Sequence, residues 1–409
     1  MKRITFVAPP FAGHFNPLLV LACAARDAGY DVEFITGPRK HTILGENGIR
    51  AVALHSIGAD TLEAIANTTD PVRGNPVKLL AQFRQNLQLL PAIRHELEQM
   101  WTAAPPALVV ADSVAPVAGL VCEQLKIPWI TTIATPFSIE TRTATPSYCG
   151  GWTPHDNAFG RARDAAGRAT VGFFKRTAAR LFQHELAALG LNTLYREDGT
   201  EAIYSPHAIL GFGLRELEFE RDWPPPFEMI GPVITAPETI STAARAKGPR
   251  VLVTHGTHLL WAKKKLIDET VVLAHSFPGV EFAVSLGQPE HAADRPQQHA
   301  PRVTVHSFIT YEDTYDAIIH HGGAGVTYAA ILGGIPSVVV PRDYDQFDFA
   351  ARIVHHQLGL RAQSIAHAAP LLARLLDRKQ WPALDRFQQY GRAYSPKQRF
   401  LEAVDRQIR

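Results

Sequence analysis

Short apolar runs alternate with helix-patterned segments along most of the chain, and the alternation restarts once. ITFVA (4–8), DVEFITG (31–37), ALVVAD (107–112), PWITTIA (128–134) and HAILGFG (207–213) each run into a glycine, a proline or a polar residue. Continuous apolar runs of this length suit strands of a parallel sheet covered by helices on both faces, joined by right-handed crossovers. PRVLVTHGTH (249–258) then echoes KRITFVAPPFAGH (2–14), with a basic residue, an apolar strand and a small-residue loop carrying histidine. EFAVSLG (281–287), RVTVHSF (302–308), AIIHHGG (317–323) and PSVVVP (336–341) continue the second series. The expectation is an α/β chain of two doubly wound, Rossmann-like halves. The Pro-rich stretch 221–250 reads as the linker between a first half, 1–220, and a second, 251–385. In the first half, Pro17 and Gly29 bracket PLLVLACAARDAGY as the first helix.

The 409 residues allow two or three domains at roughly 100–200 residues each. Hydrophobic content of 46% supports a sizeable core, and a formal charge of +2 without a basic run gives no reason to expect nucleic acid. Three cysteines, with no CxxC, argue against a disulfide framework and for a reducing compartment. No apolar stretch reaches the about 18 residues of a membrane span. A soluble, cytoplasmic protein, monomeric or homodimeric, is expected.

The stretch HHGGAGVTYAAILGGIPSVVVPRDYDQ (320–346) carries the strongest chemical signal. A glycine loop between a strand and a helix start exposes backbone N–H groups at the positive end of the helix dipole, which suits a phosphate. Gly322, Gly323 and Gly325 offer bare backbone there, His321 a hydrogen bond or partial charge, and Thr327 a hydroxyl. The alternative is a tight left-handed turn with ordinary histidines. A metal fits less well, because adjacent His320 and His321 point to opposite faces of a strand. The DxD of Asp343 and Asp345 is short and common; Asp345-Gln346, just past a strand end, can accept from and donate to sugar hydroxyls. At the corresponding position of the first half stands His14, suited to take a proton from a hydroxyl near neutral pH. Asp112, ending another strand of that sheet, could orient its imidazole, or either residue could merely cap a helix. Segment 137–200 breaks the α/β plan and is rich in aromatics, Phe137, Tyr148 and Trp152 among them, which could line an apolar pocket or fill a core.

Together these segments resemble the nucleotide-sugar-dependent glycosyltransferases of the GT-B fold, in their macrolide, antibiotic and plant natural-product UDP-glycosyltransferase branch. GHFNPLLVLACAARDAGYDVEF (13–34) is similar to the family pattern GHxNPxLxLAxxLxxxGHxVxF, and 320–350 to HHGGAGTTxEAxxxGxPxxxxPxxxDQxxNA. The resemblance implies an inverting transfer from a UDP- or dTDP-sugar to a hydroxyl of a hydrophobic natural product. It implies His14 as base, Asp112 as its partner, and Thr257, His321 and the backbone of Gly322, Gly323, Ala324, Gly325, Val326 and Thr327 as the diphosphate grip. Asp345 and Gln346 would hold the sugar. No metal or other cofactor would be required. The acceptor would bind in the first half, with Phe137, Tyr148 and Trp152 as candidates, and 386–409 would pack back on that half. Val326 stands where the family has Thr or Ser, Ala329 where a Glu binds ribose, and Phe349 where Asn is usual. The approach SFITYEDTYDAII is about one helical turn shorter than the family form. Two other functions are open: a non-catalytic partner of another transferase, for which Val326 and Ala329 give footing, and a sugar-nucleotide epimerase, which would not need an aromatic acceptor segment.

Overall fold

The computed structural model describes residues 1–56, 58, 75–234, 248–258, 260–309 and 315–408. The first sheet holds β1 (Arg3–Val7), β2 (Asp31–Ile35), β3 (Arg50–Val52), β4 (Leu108–Asp112), β5 (Trp129–Ile133), β6 (Ile209–Gly211) and β7 (Phe227–Met229). Its order is β3-β2-β1-β4-β5-β6-β7, and every pairing is parallel. The second holds β8 (Arg250–Thr254), β9 (Glu281–Ser285), β10 (Gln297–Ala300), β11 (Val303–His306), β12 (Ala317–His320), β13 (Ser337–Val339) and β14 (Gly359–Arg361). Its order is β10-β11-β9-β8-β12-β13-β14, with only the edge strand β10 antiparallel. The chain thus has the two doubly wound sheets of a GT-B fold. Both sheets reverse winding at their centre, between β1 and β4 and between β8 and β12. A ligand crevice opens at such a switch point, outside the carboxyl ends of the strands.

The sequence boundaries need correction in two places. β7 belongs to the first sheet, so the first half continues past residue 220 to Met229. Residues 235–247 of the expected linker, and 310–314 of the shortened approach, lie outside the described residues. The helix Pro382–Ala393 still packs on the second half, burying Leu384 and Phe387 in its core. Only the helix Pro396–Ile408 lies on the first half, where Phe400, Ala403 and Val404 join Phe6 and Leu18.

The halves are also joined through their cores. Phe137, Leu214 and Leu217 of the first half sit in the apolar cluster of the second, with Tyr328 and Phe349. Arg352, buried, donates to Glu218 Oε2 at 2.8 Å and stands over the rings of Phe137 and Phe219 at 4.2 and 4.5 Å. Removing one partner of such a buried pair costs about 3–5 kcal/mol. Phe349, where the family has Asn, packs edge-on to Phe137 at 4.9 Å, so the departure is an apolar plug of this junction. Among the described residues no helix is long and apolar enough to cross a membrane.

Candidate active site at the two switch points

β1 leads through Pro9-Pro10 into the helix Ala12–Asp27, whose first turn carries His14. The helix starts before Pro17, not at it, so the proline sits in the second turn and His14 is on a helix rather than in a loop. Asp112 closes β4 with its side chain fully buried. Its Oδ1 accepts the Val114 N–H at 2.8 Å and lies 2.9 Å from His14 Nδ1. An ionised carboxylate only accepts, so Nδ1 carries the proton and Nε2 is left basic. Burial pulls the His14 pKa down, but the charge and hydrogen bond of Asp112, helped by Asp345, outweigh it and raise it above its ordinary value.

Facing this pair are the loops of the second sheet. β12 ends in His320, whose Nδ1 accepts the Gly322 N–H at 3.0 Å and whose ring is wholly buried, so this histidine is structural. His321 lies between two glycines: a Cβ added at Gly256 or at Gly323 would come within 2.5 Å of its ring. Burial, with Lys263 and His258 nearby, pushes His321 down to about 3, despite a bond to the Thr254 backbone. In the free protein His321 is therefore neutral and brings an N–H, not a charge. The cation acting on His321 is Lys263, which sequence reasoning missed; its Nζ donates to the Leu286 carbonyl at 2.8 Å. Thr257 Oγ1 pairs with His258 Nδ1 at 2.9 Å, and the His258 ring meets Phe11 edge-on at 5.2 Å, bringing this loop towards His14.

The next helix is Ala324–Leu332. Its N-cap is Gly323, with no side-chain cap, and Thr327 N–H is the first to bond back, to Gly323 O at 3.1 Å. The N–H groups of Ala324, Gly325 and Val326 thus face outward at the positive end of the dipole, and a Cβ added at Gly325 would meet nothing within 4 Å. Val326 offers the site backbone only, and the Thr327 N–H is already taken by Gly323. Val326 packs with Leu252 and Ile318, and Thr327 is wholly buried.

Asp345 is the N-cap of the helix Gln346–His355, yet its side chain makes no capping bond. Burial and Asp348 push its carboxyl up to about 6, partly countered by its own backbone and His14. Gln346 Oε1 accepts the N–H groups of Arg342 and Asp343 at 2.8 and 3.2 Å, leaving its NH2 to donate. Asp343 is buried and takes the Tyr344 N–H, so the DxD does not converge. Among the described residues, no three His, Cys, Asp or Glu side chains are grouped to hold a metal ion. Of the acceptor candidates, Tyr148 lies beside Asp345 and Asp348, whose charges act on its phenol after burial itself. Phe137 instead fills the junction core at 1% exposure, and Trp152 packs under Arg163 at 4.8 Å. Phe159 and Phe173 of the aromatic segment are exposed rather than lining a pocket.

Residues 297–378 match the family described as erythromycin biosynthesis protein CIII-like, C-terminal domain. Over 389 residues the chain is 26% identical to a zeaxanthin glucosyltransferase of Pseudescherichia vulneris, covering 92% of this chain and 90% of that protein. The crystal structure of the kitacinnamycin glycosyltransferase superposes over 100% of this chain and 99% of its own, with a TM-score of 0.74 at 19% identity. The chain is a GT-B glycosyltransferase. The spinosyn rhamnosyltransferase, solved in complex with thymidine diphosphate, shares its fold at a TM-score of 0.65 and 17% identity, over 99% of this chain and 100% of that one. This glycosyltransferase is of the nucleotide-sugar, natural-product type, and the two switch points of its sheets face each other across its site.

Proposed function

We propose that this glycosyltransferase moves a sugar from a UDP- or dTDP-sugar to a hydroxyl of a hydrophobic small molecule by one inverting displacement that needs no metal. The 2.9 Å contact between His14 and the buried Asp112 carries the reading. The acceptor oxygen forms a bond to the anomeric carbon while His14 Nε2 takes its proton, and Asp112 stabilises the imidazolium. The bond from the anomeric carbon to the β-phosphate oxygen breaks on the opposite face. The nucleoside diphosphate leaves onto the N–H groups of Ala324, Gly325 and Val326, with His321, Thr257 and Lys263 around it. Asp345 and the Gln346 amide hold the sugar hydroxyls between the two halves.

The similarity to a zeaxanthin glucosyltransferase makes a lipophilic diol a sensible probe. Purified protein is incubated with UDP-glucose or dTDP-glucose and zeaxanthin or a sterol, with and without EDTA. The expected result is acceptor-dependent release of nucleoside diphosphate that persists in EDTA and yields a β-glucoside from the α-configured donor. His14→Ala should lower kcat by about 10²–10⁴-fold. Full transfer by that variant would refute the base; nucleotide binding without transfer to any acceptor would favour a non-catalytic partner.

A further inference from the structure

The segment Ser147–Gly151 comes from the first half but is fastened to the helix Gln346–His355 of the second, the helix that begins with the Asp345-Gln346 pair. Tyr148 N–H donates to Asp348 Oδ2 at 2.9 Å across the junction. Arg361 donates to the Gly150 carbonyl at 3.3 Å and stands over the Phe347 ring at 5.1 Å. At Gly151 the two backbones are so close that an added Cβ would lie 2.1 Å from the Phe347 carbonyl oxygen. Tyr148, Gly150 and Gly151 have φ of +62°, +78° and +78°, a sharply folded conformation that a non-glycine residue such as Tyr148 rarely holds without outside support. Tyr148 as a residue is half-exposed, while its phenol is drawn inward beside Ser138 and Thr135.

We propose that Asp348 is a positioning residue: it clasps the Ser147–Gly151 loop onto the sugar-binding turn and so sets Tyr148 as the wall between the transferred sugar and the acceptor. This rests on the proposed function, because the sugar is taken to lie against Asp345. Asp348 touches neither sugar nor acceptor. It is 2% exposed, its backbone carbonyl accepts from Arg352, and its carboxylate serves the loop. With the clasp released, Tyr148 loses its fixed place, the acceptor loses one side of its pocket and water reaches the anomeric carbon.

Three variants separate this role from simple structural support. Asp348→Ala removes the acceptor of the Tyr148 N–H; Asp348→Asn keeps an oxygen in that place; Gly151→Ala pushes the loop off Phe347 without removing any polar group. Amide exchange of the peptide spanning 145–152 should speed up by about 10- to 100-fold in Asp348→Ala and stay near wild type in Asp348→Asn. With UDP-glucose or dTDP-glucose, the acceptor KM and the share of donor hydrolysed by water should both rise in Asp348→Ala, by about 10-fold, and in Gly151→Ala. Asp348→Asn should restore both. Wild-type exchange and an unchanged acceptor KM in Asp348→Ala would overturn the proposal. So would equal damage in Asp348→Asn and Asp348→Ala, which marks a charge requirement of the fold. Should the wild-type protein transfer no sugar at all, the proposed function fails, while the exchange comparison still decides the clasp. Melting temperatures of all variants identify any that fail to fold, and if Gly151→Ala is one, the two Asp348 variants decide.

Discussion

Asp112 holds the His14 imidazole with one oxygen and leaves the other, Oδ2, buried with no hydrogen bond among the described residues. A buried carboxylate oxygen without a partner is costly, and the arrangement makes sense where the imidazole becomes cationic during the reaction. The pH profile tests this with a definite sign. His14 works as the neutral base, so kcat/KM should fall as pH drops through its pKa, which Asp112 holds above the ordinary value against the pull of burial. In Asp112→Asn the charge is gone and burial dominates. The acid limb should therefore move to lower pH, while the plateau falls by about 10²–10⁴-fold. Rate measurements from pH 5 to 9 decide it, and an acid limb that stays in place would remove Asp112 from its role. Both residues were legible in the sequence because Asp112 ends a strand and His14 follows one, beside a switch point. Lys263 and Asp348 were not: one is the first of three lysines and the other an unremarkable acid inside a helix. Only the tertiary fold brings them to the site.

Side-chain caps are found on two of the long helices and on none of the helices that open into the site. The helices Pro76–Ala103 and Ala158–Leu181 are capped by Asn75 and Asn157, whose side chains accept backbone N–H bonds at 3.0 and 2.7 Å. The three helices that open into the site, behind Phe11, Gly323 and Asp345, have no side-chain cap. Asp is among the best capping residues, so the disengaged Asp345 carboxylate is withheld from its own helix and free for a ligand. The helix at Ala12 has no side-chain cap, the usual start signal, so the sequence places its start late, at Pro17. Strands follow a similar logic. The central runs were legible because they are apolar on both faces, whereas β3, β7 and β14, three residues each at or near sheet edges, and the polar β10 carry too little pattern to read. Gly325→Ala tests the uncapped start directly. The site has right-handed backbone and open space, so alanine should stabilise the free protein by about 0.5–1 kcal/mol. The same methyl group would enter the place assigned to the diphosphate, so UDP and dTDP should bind more weakly. Thermal melting and calorimetric titration report the two effects, and a rise in both stability and affinity would contradict a diphosphate at this turn.

The two halves are held together twice: Phe137, Leu214 and Leu217 enter the second core, and the helix Pro396–Ile408 returns to the first. Such a junction crowds titratable groups into the interior, and their pKa values fix how stability depends on pH. His320 and His321 are pushed down to about 3 and His258 and His356 to about 4, with burial the leading cause each time, and His255 lies well below its usual value for the same reason. Below pH 6.5 the unfolded chain protonates all five while the native protein does not, so the unfolded state binds more protons and stability falls with pH. Asp345 and Asp348, raised to about 6 chiefly by burial, act oppositely, because there the native state holds the extra protons. The five histidines outweigh the two carboxylates, so stability should fall as pH drops from 6 towards 4. His14 sets the other side: its raised pKa adds stability that is fully present below 6.5 and lost as pH rises through the raised value. The melting temperature should therefore peak near neutrality and fall steeply on acidification. His320→Asn, which keeps an acceptor for the Gly322 N–H but cannot take a proton, should make the acid slope shallower by one proton's worth. A melting temperature that stays flat from pH 7 to 5 would mean that these histidines are not held neutral by the fold, and with that the case for an uncharged His321 at the diphosphate would fall.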